Sequence, residues 1–236
     1  MKQSTRRLIE GRLDPSAYDF GFADLTGLLP EKFADFAGGI SIIRRLDDAI
    51  IDGIADGPTE EYFEHYNRVN AELNALVQSI AADMNDGAHV ILPIKATLEE
   101  HELNETYTRT LTYDISHKMI ATRSGLGWIG KTDLLVSRRF GPRVRLASIL
   151  TDLPLEPLAS PIDESRCGSC SLCVDACPAG AATGEPWSAG IHRDRYFDAF
   201  KCRDYCRGIS KERLNRAISL CGRCVYICPK GRVRKS

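Results

Sequence analysis

Two stretches decide how this chain is read: "CGSCSLCVDACP" at 167–178 and "CGRCVYICP" at 221–229. The first sets Cys167, Cys170, Cys173 and Cys177-Pro178 at the Cys-x2-Cys-x2-Cys-x3-Cys-Pro spacing of a cubane iron–sulfur site. The second repeats it one cysteine short, as Cys221, Cys224 and Cys228-Pro229. Where two such runs occur together, three close thiolates wrap one cluster and the Cys-Pro thiolate crosses to the other. That rule gives Cys167, Cys170, Cys173 and Cys228 to one cluster, and Cys177, Cys221 and Cys224 to the second. The missing ligand must be Cys202 or Cys206, both in "FKCRDYCRG", and spacing alone does not choose between them. Eight ligands and one spare thiol account for all nine cysteines. Zinc also takes Cys-x2-Cys pairs, but three evenly spaced cysteines and a Cys-Pro in each run favour iron and sulfide. Two clusters in one chain suit an electron wire; a purely structural role is the plainer alternative.

The 236 residues suffice for one large domain or two modest ones, and the net charge of −1 is nearly balanced. No apolar run approaches a bilayer span. "MKQSTRRLIEGRL" reads as an N-terminal helix and not as a signal peptide, since no apolar segment follows the arginines. The expected location is therefore the cytoplasm, where thiols stay reduced and clustered cysteines serve metals. From Lys201 onward eleven Lys or Arg face two acids, Asp204 and Glu212, a local balance of +9. Such a tail suits nucleic acid or an acidic partner, or simply offsets the charge of thiolate-bound clusters.

Tyr62, Tyr66, Val69, Leu73, Leu76, Val77, Ile80 and Met84 recur at steps of three and four, the stripe of an amphipathic helix. Thr59 is placed to cap it, and Gly87 to follow it. "GPTEEY" is thus the start of a helix rather than a binding loop. Short β-prone runs begin at Ile40, His89, Leu134 and Val144. Together these predict an α+β or α/β domain over 1–158, ended by the proline-broken "TDLPLEPLASPIDES". The region 159–236 has few large apolar residues and one clear helical run, "SKERLNRAISL", so bound clusters would have to organise it.

"GLGWIGKT" at 125–132 satisfies both the dinucleotide fingerprint and the P-loop. Either works only with a strand before it and a helix after. Here "YDISHKMIATRS" upstream reads as a helix and "DLLVS" downstream as a strand, so nucleotide binding is demoted. Gly125, Gly127, Gly130 and Lys131 would then let backbone approach a flat or bulky ligand, with Trp128 as an apolar wall. The plainer reading is a tight turn with Trp128 in the core.

With "HKMIATRSGLGWIGKTDLLVS", "VRLASILTDLPLEP" and the two cysteine runs in order, the chain resembles the epoxyqueuosine reductase family over roughly 85–230, and through it the reductive dehalogenases. The resemblance implies an α/β-type, nitroreductase-like cofactor domain that holds cobalamin, with a flavin as the lesser choice. A ferredoxin-like module with two [4Fe–4S] clusters follows, the whole being α+β. It implies electrons drawn from a ferredoxin- or flavodoxin-type donor and passed through the clusters to cobalt, whose Co(I) form drives reduction of an epoxide on a tRNA base. It also favours Cys202 over Cys206, because "DAFKC" matches the family's ligand segment. The alternative is a non-catalytic electron carrier or activator for a corrinoid enzyme. Two departures stand out: the family's C-terminal tRNA-gripping domain has no counterpart, and its catalytic aspartate segment is not matched. Asp114 is the nearest acid, with His117 and Lys118 beside it to donate a proton or hold an anion. The plainer reading makes Asp114 a helix cap and the other two solvated.

Overall fold

The computed structural model describes residues 2–231, so Arg232, Arg234 and Lys235 of the basic tail lie outside the described residues. The order is α1 (Lys2–Glu10), β1 (Tyr18–Asp24), β2 (Gly38–Arg45), α2 (Asp48–Asp52), α3 (Glu60–Met84), β3 (Ile91–Ile94), α4 (Glu105–Thr110), α5 (His117–Arg123), β4 (Gly127–Ile129), β5 (Leu135–Ser137), β6 (Val144–Thr151), α6 (Leu172–Asp175), α7 (Ala199–Leu214) and α8 (Arg223–Ile227). They form two compact units, each discontinuous in sequence. One comprises the segment ending at Arg45 with Val69–Leu126 and Arg145–Ile162. The other comprises Leu46–Arg68, Gly127–Val144 and the segment from Asp163 onward. The linear division at 158/159 misses this interleaving, because segments 46–68 and 127–144 return to pack with the cysteine-rich region.

The first unit is built on a four-stranded sheet in the order β1-β2-β6-β3. β1 pairs antiparallel with β2, Phe22 opposite Ile40, and β3 pairs antiparallel with β6, Ile94 opposite Ser148. The class is mixed α+β with antiparallel pairs, not the parallel α/β arrangement held open from sequence. β6 alternates its partners: Arg145 bonds Asn70 of α3, whereas Ser148 bonds His117 of α5. Three residues apart on a strand, they point to opposite faces, so the two helices cover opposite sides of the sheet. α5 lies close to β2 because Gly39 has no side chain; a Cβ there would meet Leu25 at 2.5 Å and Ile120 at 3.1 Å. Ala23, Leu25, Ile115, Ile120 and Leu150 form the buried cluster on that side.

α3 bears out its stripe: Tyr62, Val69, Leu73, Val77, Ile80 and Met84 are buried, while Tyr66 and Leu76 are half-buried. Thr59 caps it, its hydroxyl accepting from the Tyr62 amide at 3.2 Å. α7 begins eleven residues before the run expected to be helical and stops at Leu214, where Asn215 enters the left-handed region (φ 53). No described helix is long and apolar enough to cross a membrane.

Candidate metal centre

All nine cysteines are free thiols within the second unit. A short helix lies within each run: α6 holds Cys173 and α8 holds Cys224, and the two helices pack on each other. The Thr132 hydroxyl is within hydrogen-bond reach of both Cys173 and Cys224. Cys228 lies close enough to Cys173, Cys167 and Cys170 for their charges to oppose its ionisation. Cys224 stands likewise toward Cys202 and Cys221, and also toward Cys173. Cys177 is half-buried just beyond α6, its amide bonded to the Val174 carbonyl at 3.1 Å.

Cys202 and Cys206 sit one turn apart on α7 with sulfurs 3.8 Å apart. Cys221 also lies within reach of the Cys206 sulfur. Hydrogen bonding among the three holds Cys206 protonated and pulls Cys202 and Cys221 toward thiolate, Cys221 down to about 7. Burial pushes Cys173 and Cys228 up, and Cys224 up to about 12. Enclosed thiols of this kind ionise only when a cation takes the charge. The donor set fits iron: soft, reduced sulfur ligands, half-buried except for exposed Cys170 and buried Cys206, gathered from the two cysteine runs and from α7.

The stretch 125–132 runs helix–turn–strand. Gly125 adopts φ +71 after α5, its amide bonding the Thr122 carbonyl while the Leu126 amide reaches Ala121, a Schellman end. A Cβ at Gly125 would meet the Ser160 carbonyl at 2.6 Å, and one at Gly127 the Val136 carbonyl at 2.4 Å. The close approach that glycine permits here is thus made by the chain's own backbone. β4 then turns into β5, with Trp128 opposite Val136. A strand follows where a P-loop needs a helix, which removes the nucleotide reading.

The hairpin faces the cysteines. The Trp128 indole N–H donates to Cys167 Sγ at 3.4 Å, its ring only 6% exposed. Lys131, also buried, donates from Nζ to the Cys170 carbonyl at 3.0 Å. A Cβ on Gly130 would stand 3.8 Å from Cys167 Sγ. Asp133 takes φ 58 and accepts from the Tyr196 hydroxyl at 2.8 Å. Thr132, Asp133 and Tyr196 carry no sequence signal of this role; Thr132 was visible only as part of a motif with another meaning.

Asp114, His117 and Lys118 lie in the sheet unit. The α5 cap is Ser116, whose hydroxyl accepts from Met119, so Asp114 is not a cap; it pairs with Lys32 at 2.5 Å. Nor is His117 solvated. Its Nε2–H donates to the Lys95 carbonyl at 2.8 Å, which leaves Nδ1 to accept from the Ser148 hydroxyl at 2.8 Å. Burial, aided by the Arg145 charge, lowers its pKa to about 4. The ring is neutral at pH 7 and each nitrogen has a partner. Lys118 is half-buried on the same helix.

Several described residues of the basic tail have partners within the chain. Arg213 donates to the Pro58 carbonyl, Arg216 pairs with Glu60, and Lys201 with Asp198.

Comparison with known proteins agrees with this centre. Residues 166–231 match the 4Fe-4S double cluster binding domain. The chain is 32% identical over 123 residues to the epoxyqueuosine reductase of Listeria monocytogenes, covering 51% of this chain and 31% of that protein. It thus spans about a third of that relative's length. In fold it is similar to an epoxyqueuosine reductase solved with an epoxyqueuosine-modified tRNA-Tyr stem loop (TM-score 0.59, 18% identity, 96% of this chain and 65% of that one). It is also similar to a reductive dehalogenase whose structure suggests a mechanism for B12-dependent dehalogenation (TM-score 0.68, 17% identity, 92% and 30%). The resemblance drawn from the motifs is borne out.

Proposed function

We propose that this relative of the epoxyqueuosine reductases is an iron–sulfur reductase, taking single electrons from a low-potential donor and passing them through two [4Fe–4S] clusters to a second cofactor. The observation that carries this is the β4–β5 hairpin. Its Trp128 N–H and its Lys131 ammonium both point at the first cysteine loop, on a sulfur and on a backbone carbonyl. A cluster gains negative charge when reduced, and donors aimed at its sulfurs and loops stabilise that state. A merely structural cluster needs no such arrangement. The ligand sets are Cys167, Cys170, Cys173 and Cys228 for one cluster, and Cys177, Cys202, Cys221 and Cys224 for the other.

By resemblance the second cofactor is a corrinoid, which when bound supplies strongly reducing cobalt. The residues first assigned to it do not fit that role. Gly125, Gly127 and Gly130 are closed in by the chain, and Trp128 and Lys131 are turned to the cysteines. The corrinoid, a tRNA-base substrate, a ferredoxin- or flavodoxin-type donor and a cytoplasmic setting therefore rest on the family resemblance and the shared fold. Asp114 and Lys118 remain the candidates for acid–base work; His117, neutral and doubly bonded, holds α5 to the sheet. The enclosure of the glycine turn favours a second reading, that the chain carries electrons to a separate corrinoid enzyme.

Anaerobic reconstitution with iron and sulfide tests the proposal. The expected protein holds eight irons per chain, and on reduction gives the EPR signal of two interacting clusters. Stoichiometric zinc without iron in anaerobically purified protein overturns it. Titration with cob(II)alamin then separates the readings, since binding at tens of micromolar (about 6 kcal/mol) supports the reductase and absence of binding the carrier.

A further inference from the structure

The ninth cysteine has a use. We propose that Cys206 is not a spare thiol but a positioning residue of the second cluster, donating an S–H···S hydrogen bond to its ligand sulfurs and raising its reduction potential. This rests on the cluster reading above, with Cys202 as a ligand.

The geometry comes from the helix. Residues four apart on α7 share a face, so Cys202 and Cys206 project together. Their sulfurs are 3.8 Å apart, a thiol hydrogen-bond distance. Ligands on different irons of one cubane stand farther apart than a bonded thiol pair, so these two do not both serve the second cluster. Cys221 lies within reach of the same sulfur, so the Cys206 thiol stands beside two members of one ligand set. It is also the more enclosed of the α7 pair, 6% exposed where Cys202 is half-buried. A buried polar hydrogen needs an acceptor, and the sulfurs of Cys202 and Cys221 supply one.

The electronic consequence follows. Reduction of [4Fe–4S]2+ to [4Fe–4S]1+ adds one electron, here from dithionite or another one-electron reductant, and spreads charge onto the ligand sulfurs. A donor on those sulfurs favours the reduced form, which is how hydrogen bonds set cluster potentials. No bond to Cys206 forms or breaks, and its proton stays on sulfur. The first cluster has its own donor, the Trp128 indole on Cys167, so each cluster carries a non-ligand donor of different chemistry.

The test uses the full chain, reconstituted anaerobically, as wild type, Cys206→Ala and Cys206→Ser. All three are expected to keep eight irons. At a fixed solution potential Cys206→Ala should hold about tenfold less of the reduced second cluster, a shift of about −59 mV for one electron. The first cluster should not move, and Cys206→Ser, which retains a hydroxyl donor, should recover most of the shift. In the wild type, a deuterium-exchangeable proton should couple to the reduced second cluster in pulsed EPR. That measurement stands even if Cys206→Ala fails to fold. Unchanged potentials, or absence of the coupled proton, overturn the proposal. Loss of one cluster in Cys206→Ala, with Cys202→Ser retaining both, overturns it differently by making Cys206 the ligand. Failure of the wild type to take up iron sinks the cluster reading itself.

Discussion

In the sheet unit Ile40, Ile42, Ile43, Leu73, Ile80, Ile149 and Leu150 have no exposed surface. From Asp163 onward the large enclosed side chains are Trp187, Tyr196, Phe197, Leu214, Leu220 and Val225, each still 2–8% exposed. The backbone there turns through left-handed glycines, Gly168, Gly180, Gly184, Gly190 and Gly222. Complete burial of one Ile or Leu is worth about 1.5–3 kcal/mol, and the sheet unit repeats it along β2, α3 and β6. The cysteine region cannot repeat it on that scale. What it has instead is eight ligand sulfurs, which stabilise a fold only once a metal joins them. The difference teaches that side-chain burial specifies one part of this chain, and coordination chemistry much of the other.

The largest expected effect breaks the two apart. Stripping iron with a chelator under reducing conditions should abolish amide-exchange protection in α6, α7 and α8, while β2, β6 and the Val69–Met84 part of α3 keep theirs. Equal loss in both regions would show that the sheet unit depends on the clusters and that the contrast is false.

The converse change comes next. Ile149, on β6 opposite Pro93 of β3, has no exposed surface. Ile149→Ala leaves a cavity and should cost about 2–5 kcal/mol, read as a lower urea midpoint for the sheet unit. The iron content of protein folded at low temperature should not change. A midpoint within error of wild type would mean that burial is not what stabilises this unit.

How far the sequence reached follows the same division. Ligand spacing is local, so the cysteine runs were legible at once. The α3 stripe was legible because an amphipathic helix repeats its signal over 25 residues. β1 was overlooked although Tyr18, Phe20 and Phe22 alternate with Asp19 and Gly21, the period of a strand; the low strand propensity of Asp and Gly masked it. The start of α7 was hidden because Cys202 and Cys206 read as metal ligands rather than as one face of a helix. The glycine turn misled for a deeper reason. Its motif fits several uses, and what selects among them is contact with Ser160 and Val136, which no local pattern encodes. His117 looked like a proton donor until the partners on both of its nitrogens were visible.

His117 sharpens the comparison through pH. Its native pKa of about 4 lies below the ordinary 6.5. As pH falls, the unfolded chain therefore takes the proton first. The stabilisation is fully present above pH 6.5 and is lost progressively down to about pH 4. Urea midpoints of the sheet unit at pH 7.0 and 4.5 should differ more in wild type than in His117→Gln. An equal pH dependence in both proteins would place the acid sensitivity elsewhere, on the carboxylates.

The smallest stability effect carries the sharpest functional information. Asp114 pairs with Lys32, but the Lys32 side chain is 56% exposed and the Asp114 side chain 26%. An ion pair so open to water is worth about 0–1 kcal/mol, because solvent screens it and ordering the lysine costs entropy. Asp114→Asn should thus leave the unfolding midpoint of the sheet unit nearly unchanged. Lys32→Met should do the same, and any small loss should shrink further in 1 M salt. If Asp114 supplies the proton for a reductive step, its variant loses turnover with both clusters intact and stability unmoved, while Lys32→Met retains activity. If instead Asp114 only anchors the residues around Lys32, the two variants behave alike in every assay. The double variant then adds nothing to either, and the acid of the reaction must be sought on another residue.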